Sequence, residues 1–488
     1  MRALTRLVAA VLVSAAIVAG GVGASPAASP PKLSMSADPA LLPAFDPAVH
    51  DYVSRCGETG GLRLTVSAPA GQQVSVDGQP PRSGHFQADV ALGENQATTI
   101  LVHSAAGDAD YHVRCLPAEF PRWTSERTGS TQARWYLVGP IGHYIMLFDP
   151  VGAPIWWLKE RDQPFNPTLL SNGHVAAYPL GTDQHFGKQL DKAYVERRLD
   201  GKVVRRHRTV GTPTDLHEFQ ELPNGHLLME SYRPRDGVDL TKYGGPRRTR
   251  VYYPEVQELT RRGRLVWRWN ARGHISLDET DRWPSLVETQ SKFPEKVRWY
   301  DAYHINSMSP DGDGIVISCR HDDAVYRIDR ASGRVTWKIG GIHTKKSLKV
   351  IGDPHHPGTK TFGGQHDARV LPDGTVSVYD NGAERDRPPR VVRYRINRHK
   401  RTATLIEELT DPDVPKSGWG GGTRKLAGGD WATAWGGTPF VSEMTPAGDR
   451  VFGLRFLQPS NYRAGPVPPG ALRPEALRAA MDRMHPRK

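Results

Sequence analysis

Along residues 33–120 apolar and polar side chains alternate nearly one for one. Leu62-Arg63-Leu64-Thr65-Val66, Val74-Ser75-Val76-Asp77-Gly78 and Thr99-Ile100-Leu101-Val102-His103 each put every second side chain on one face. Short turns separate the runs, which predicts a small antiparallel β-sandwich over 33–120.

From 121 to 457 the alternation is built into a longer repeat. One half is a strand, a turn and a strand, seen in Leu170-Ser171-Asn172-Gly173-His174-Val175, Leu222-Pro223-Asn224-Gly225-His226-Leu227 and Leu371-Pro372-Asp373-Gly374-Thr375-Val376. The other half is a second hairpin that often ends in Trp, at Trp157, Trp267 and Trp337. Asn-Gly and Asp-Gly supply the positive φ of tight hairpin turns. Two hairpins make a four-stranded sheet that cannot cover both of its faces by itself, so neighbouring sheets must. About six such units fit. The expected fold class is all-β: a six-bladed β-propeller preceded by the sandwich. Uneven spacing points to long insertions at 181–197, 233–250 and 272–300. Residues 458–488 read as a Pro-rich C-terminal tail with a helix-like segment at 474–481.

The first 24 residues predict an export signal: Arg2 and Arg6, an apolar run over 7–18, and small residues at Val22-Gly23-Ala24. A Ser/Ala/Pro linker follows at 25–32. The apolar run is short for a membrane span and no second one follows, so the protein is expected to be secreted or extracytoplasmic, without stable membrane insertion. In that compartment Cys56 and Cys115 are placed to form a disulfide across the sandwich. Cys319, inside a predicted strand, reads as a buried thiol. The formal charge of +12 suits a solvated basic surface or attraction of anionic substrates. The basic residues are scattered and no nucleic-acid-binding signature accompanies them, so nucleic acid is not an expected partner.

Three histidines share one position of the repeat. His217, His304 and His366 each lie eight residues before a hairpin glycine, Gly225, Gly312 and Gly374. Equivalent positions in a ring converge on its axis, so the three imidazoles are expected at the channel mouth. Asn306, two residues after His304, should share its face. Aligning Leu426-Ala427-Gly428-Gly429 with Leu371-Pro372-Asp373-Gly374 puts Thr423 at the matching place in the last blade, and Arg320 follows on the next strand of the His304 blade. The mouth so assembled offers donors and no carboxylate, which suits a tetrahedral oxyanion. A three-histidine zinc site is the competing reading; Arg320 argues against a cation there, and no metal ligands are assigned. Tyr303 and Trp419 could stack on an aryl ring or pack between blades.

At these residues the chain resembles the bacterial arylsulfate sulfotransferase family. The shared motifs are Asp215-Leu216-His217-Glu218, Asp301-Ala302-Tyr303-His304-Ile305-Asn306-Ser307, Ser318-Cys319-Arg320, Gln365-His366-Asp367 and Tyr379-Asp380-Asn381-Gly382. The sandwich resembles cadherin-like modules through Tyr52-Val53, Val76-Asp77-Gly78, Leu92-Gly93-Glu94-Asn95 and Tyr111-His112-Val113. The first resemblance implies a six-bladed propeller that moves a sulfuryl group from an aryl sulfate to a phenolic acceptor, with no nucleotide donor, by ping-pong through a sulfohistidine. It implies His366 as nucleophile, His217 as acid/base, and His304, Asn306, Arg320 and Thr423 as contacts to the sulfuryl oxygens. No metal or organic cofactor is implied. Two other function classes fit the same architecture: a non-catalytic adhesion or carbohydrate-binding propeller, and a sulfatase-like or zinc-dependent hydrolase.

Overall fold

A computed structural model describes residues 33–181, 192–280, 288–289, 298–356, 361–457 and 460–487. The expected export signal and linker lie outside the described residues.

Six antiparallel four-stranded units follow one another from Trp135 onward. Their innermost strands are Asn461–Val467 (blade 1), Gln163–Leu169 (blade 2), Thr214–Glu221 (blade 3), Ile305–Asp311 (blade 4), His366–Val370 (blade 5) and Gly422–Lys425 (blade 6). Each inner strand touches the inner strands of both neighbouring blades, so the ring closes around a channel. The fold is the expected six-bladed propeller.

Closure uses both ends of the chain. Blade 1 takes its middle and outer strands from Trp135–Pro140, Tyr144–Phe148 and Pro154–Lys159, but its inner strand from Asn461–Val467. Blade 6 gains a fifth, outermost strand, Trp123–Arg127, paired with Arg450–Phe456. This corrects the reading of 458–488 as a tail. The helix Pro474–Met484 is equally engaged, burying Leu477, Ala480 and Met481 in the core that contains Trp157 and Phe120. A helix of this length holds no fixed shape in water without such a packed apolar face.

Strand alternation fixes what each blade buries. Tyr144–Phe148, Gly314–Cys319 and Trp431–Trp435 are buried at every position, as strands covered on both faces must be. Trp337 packs between blades 4 and 5, and Trp267 packs against the core of blades 3 and 4. Trp157 packs not between blades but against the C-terminal helix and the sandwich, with its Nε1–H on Asn95 Oδ1. Cys319 is a free, fully buried thiol. The stretch 233–250 is less an insertion than an extension: strands Leu227–Val238 and Thr249–Leu259 run as one long hairpin beyond the blade.

The sandwich pairs a three-stranded sheet (Ser34–Asp38, Gly61–Ala68, Gly84–Ala91) with a four-stranded one (Asp51–Ser54, Ala109–Cys115, Ala97–Ser104, Gln72–Val76). Asp51–Ser54 runs parallel to Ala109–Cys115, an exception to the antiparallel expectation, and Cys56 is bonded to Cys115 beside that pair. Ion pairs Arg478–Asp51 (2.6 Å) and Arg114–Asp482 (2.7 Å) join the sandwich to the C-terminal helix.

Candidate active site

The three histidines do converge, each in or just before an inner strand that is bulged at its start. Register shifts fall between Thr214 and Phe219, Ile305 and Ser307, and His366 and Arg369. His304 and Asp367 adopt left-handed backbone, with φ of 52° and 54°. Such non-glycine conformations cost energy and gather where side chains must be aimed. His217, His304 and His366 are all buried, and the rings of His217 and His304 meet edge to face at 4.7 Å.

Their hydrogen bonds set them apart. His366 Nδ1 faces two acceptors, Asn381 Oδ1 at 2.8 Å and Gly364 O at 2.9 Å, so Nδ1 carries the proton. Its Nε2 therefore holds the lone pair, and the Gly420 N–H donates to it at 3.2 Å. Burial, with the charge of Arg320 and the neighbouring histidines, pushes the His366 pKa well below the ordinary imidazole value, against the pull of Asn381. His217 and His304 are backed by carboxylates: Nδ1 to Asp215 at 2.6 Å and Nδ1 to Asp301 at 2.6 Å. Both carboxylates also accept the backbone N–H of their histidine, which locks each ring's angle. His321 stacks on His304 at 4.6 Å; it donates Nδ1–H to Asp301 O, and burial followed by the His304 charge holds its pKa well down.

These groups line a cavity of about 400 Å³ with Arg320, Gly420, Phe165, Trp299, Trp419, Tyr462, Ile141, Leu180 and Leu216. The lining mixes cationic and polar groups with aromatic and apolar ones. Tyr462 sits between two histidines, its ring 6.0 Å from His217 and 6.3 Å from His366, and stacks on Phe165 at 4.3 Å. Burial pushes its phenol pKa up, so it stays neutral. Trp419 stands at the mouth, while Tyr303 packs in the core with its hydroxyl on Ile275 O. Arg320 donates to Gly418 O at 3.0 Å.

The glycine run 418–422 is what brings Gly420 to His366. Gly421 has φ of 97°, and a Cβ there would meet the Tyr379 ring at 2.2 Å. No other residue type fits that approach.

Two sequence-derived residues are elsewhere. Asn306 is wholly buried and donates to Gln365 O at 2.8 Å, tying blade 4 to the residue before His366. It does not line the cavity. The alternation argument failed because His304 precedes the regular strand in left-handed backbone and the bulge falls at Asn306. Thr423 lines a second cavity, at the other end of the inner strands, and its hydroxyl is bonded to Thr433 at 3.0 Å. The expected absence of carboxylates also fails, since Asp301 lines the cavity and Asp215 stands behind His217. Both lay in the recognised motifs, as did Asn381, two or three residues from a histidine or at the end of the paired strand. Tyr462 and Phe165 carried no such signal.

Two groups, Asp301–His304–His321 and Asp215–His217–Glu230, have the ligand spacing to hold a metal ion. In each, the Asp–His contact is already satisfied by a hydrogen bond. Arg320 on the same wall disfavours a cation.

No curated protein matches the chain. Solved structures resemble it at low identity: a protein of unknown function from Bacteroides caccae (12% identity, 69% of this chain and 99% of that one, TM-score 0.42) and a catalytically inactive virginiamycin B lyase from Staphylococcus aureus with quinupristin (11%, 68% and 99%, 0.34). At these scores neither bears on the chemistry. The family described as Arylsulfotransferase (ASST) matches residues 124–413, more than half of the sequence, including blades 2 to 5 and all of blade 1 but its inner strand. With its histidine-lined channel, the chain belongs to the arylsulfotransferase family.

Proposed function

We propose that this protein moves a sulfuryl group from an aryl sulfate to a phenolic acceptor through a sulfohistidine at His366. The observation that carries the reading is the neutral Nε2 of His366, in a cavity lined by aromatic rings together with Arg320 and two carboxylate-backed histidines.

In the first half-reaction the Nε2 lone pair attacks sulfur in line with the aryl oxygen. The N–S bond forms as the S–O(aryl) bond breaks, and the electron pair leaves on the phenolate oxygen. The transition state is loose, so positioning and charge do most of the work. Arg320 and His304 face the sulfuryl oxygens. His217, as imidazolium stabilised by Asp215, delivers its Nε2 proton to the phenolate. The now neutral His217 takes the proton of the incoming phenol, whose oxygen attacks sulfur and releases His366. The aryl rings lie against Trp419, Tyr462 and Phe165. Asn306 acts through Gln365, holding the start of the His366 strand. The disulfide supports action outside the reducing cytoplasm.

The test mixes purified protein with a chromogenic aryl sulfate, with and without a second phenol and without nucleotide. Acceptor-dependent release that disappears in His366→Ala, with one sulfuryl group trapped on His366 when the acceptor is withheld, is the expected result. Release indifferent to acceptor and intact in the variant would overturn it. Dialysis against a chelator should leave turnover unchanged; loss restored by zinc would favour the metal-dependent hydrolase instead.

A further inference from the structure

The channel beyond the histidines carries a charge arrangement that the transfer reaction does not use. There Glu218 of blade 3, Asp367 and Arg369 of blade 5, Arg424 of blade 6 and Arg463 of blade 1 meet across the axis. Arg369 bonds Glu218 at 2.5 Å and Asp367 at 2.6 Å, Arg463 bonds Glu218 at 3.2 Å, and Arg424 bonds Asp367. Three guanidiniums thus face two carboxylates, a surplus of one positive charge. Glu218, Asp367, Arg369 and Arg463 are buried, where an uncompensated charge is costly.

The adjoining charges do not make up the difference. Lys425 is paired with Glu407 at 3.0 Å and Glu221 with Arg261 at 2.6 Å. Donors are left over as well: Arg463 Nε is buried with no hydrogen-bond partner, 3.6 Å from Asp367. Arg424 uses NH1 on Asp367 and Thr423 O, and its side chain stays partly open. Both arginines line a cavity of about 650 Å³ that shares no lining residue with the histidine cavity. Burial, opposed by Asp367 and reinforced by repulsion from Arg369 and Arg463, lowers the Arg424 pKa.

We infer that this second cavity binds a small oxyanion, of the kind represented by sulfate or phosphate, between Arg424 and Arg463. Guanidinium forks suit such oxyanions, and one bound anion offsets the surplus charge. The site is independent of the sulfuryl-transfer reading, since its arginines line a cavity that shares no residue with the histidine cavity.

Calorimetric titration with sodium sulfate, then phosphate, with sodium chloride as control, tests it on four proteins: wild type, Arg424→Gln, Arg424→Lys and Arg320→Met. The expected result is a binding event in wild type that persists in Arg320→Met and weakens about tenfold or more in Arg424→Gln. Sulfuryl transfer by Arg424→Gln should be unchanged, which also shows that it is folded. Arg424→Lys keeps the charge beside Asp367, and should bind more weakly than wild type but more tightly than Arg424→Gln. Equal heats with chloride, no oxyanion binding, or binding lost only in Arg320→Met would each overturn the inference.

Discussion

The Gly420 backbone N–H points at Nε2 of His366 from 3.2 Å. In the resting site it caps the lone pair that the proposed reaction needs. When an aryl sulfate enters, this N–H must turn from the imidazole to a sulfuryl oxygen, where it becomes one more fixed donor for the developing charge. Gly420 has φ of 67°, and a Cβ there would press on the Tyr462 ring at 3.1 Å. Gly420→Ala should therefore cost about 1 kcal/mol or more in backbone strain and shift both the donor and Tyr462. We expect kcat/KM for aryl sulfates to fall at least tenfold while the near-ultraviolet circular dichroism is retained. Unaltered kinetics would remove Gly420 from the site.

Asn381 offers a neutral oxygen to His366 Nδ1–H. An anionic partner there would favour the imidazolium. In the wild type, neutral His366 is available through the neutral range, because its pKa lies well below the ordinary value; activity should be lost only as acid protonates it. Asn381→Asp raises that pKa, so the acid limb of the kcat/KM profile should move to higher pH. A profile unmoved on its acid side would mean that His366 is not the titrating group.

Asp215 separates the roles of the two carboxylate-backed histidines. If it stabilises the His217 imidazolium, Asp215→Asn should slow donors with poor phenolate leaving groups most and spare those with acidic phenols. General acid catalysis contributes about 10² to 10⁴-fold, so the rate gap between the two donor kinds should widen by a measurable part of that. On the proposed mechanism Asp301→Asn, which acts on His304, should depress all donors alike. The reverse pattern would exchange the two assignments.

How much of this was readable beforehand follows from which contacts are local. The hairpin glycines and the shared offset of His217, His304 and His366 are properties of each repeat, and they located both the blades and the site. Asn306 was misplaced because strand alternation holds only where the strand is regular, and the inner strand of blade 4 is not. Thr423 kept its place in the repeat, but that place, like Asn306's, is two residues past the histidine position, and it lines the second cavity with its hydroxyl on Thr433. Asp215, Asp301 and Asn381 were visible as motif letters; their role needed the hydrogen bonds. Tyr462 had no local signal, since its strand pairs with one more than 300 residues earlier.

That distant pairing gives the last prediction. Residues beyond 457 look dispensable in sequence, yet Asn461–Val467 is the inner strand of blade 1 and brings Tyr462 to the active cavity and Arg463 to the far one. Ending the chain at residue 460 leaves Trp135–Pro140 with an unpaired edge and opens the ring between blades 1 and 6. That truncation should be insoluble, or folded without activity even at raised substrate. Ending it at residue 470 keeps the inner strand and removes residues 471–488, with buried Leu472 and the helix Pro474–Met484 that buries Leu477, Ala480 and Met481. Losing these side chains from the core around Trp157 costs several kcal/mol, about 1.5–3 kcal/mol for each large one, so the melting temperature should fall. The histidines, Arg320 and Tyr462 remain in place, and turnover below the lowered melting point should stay within a few-fold of the full chain. Full activity in the shorter truncation would show that the C-terminal strand neither closes the ring nor completes the site.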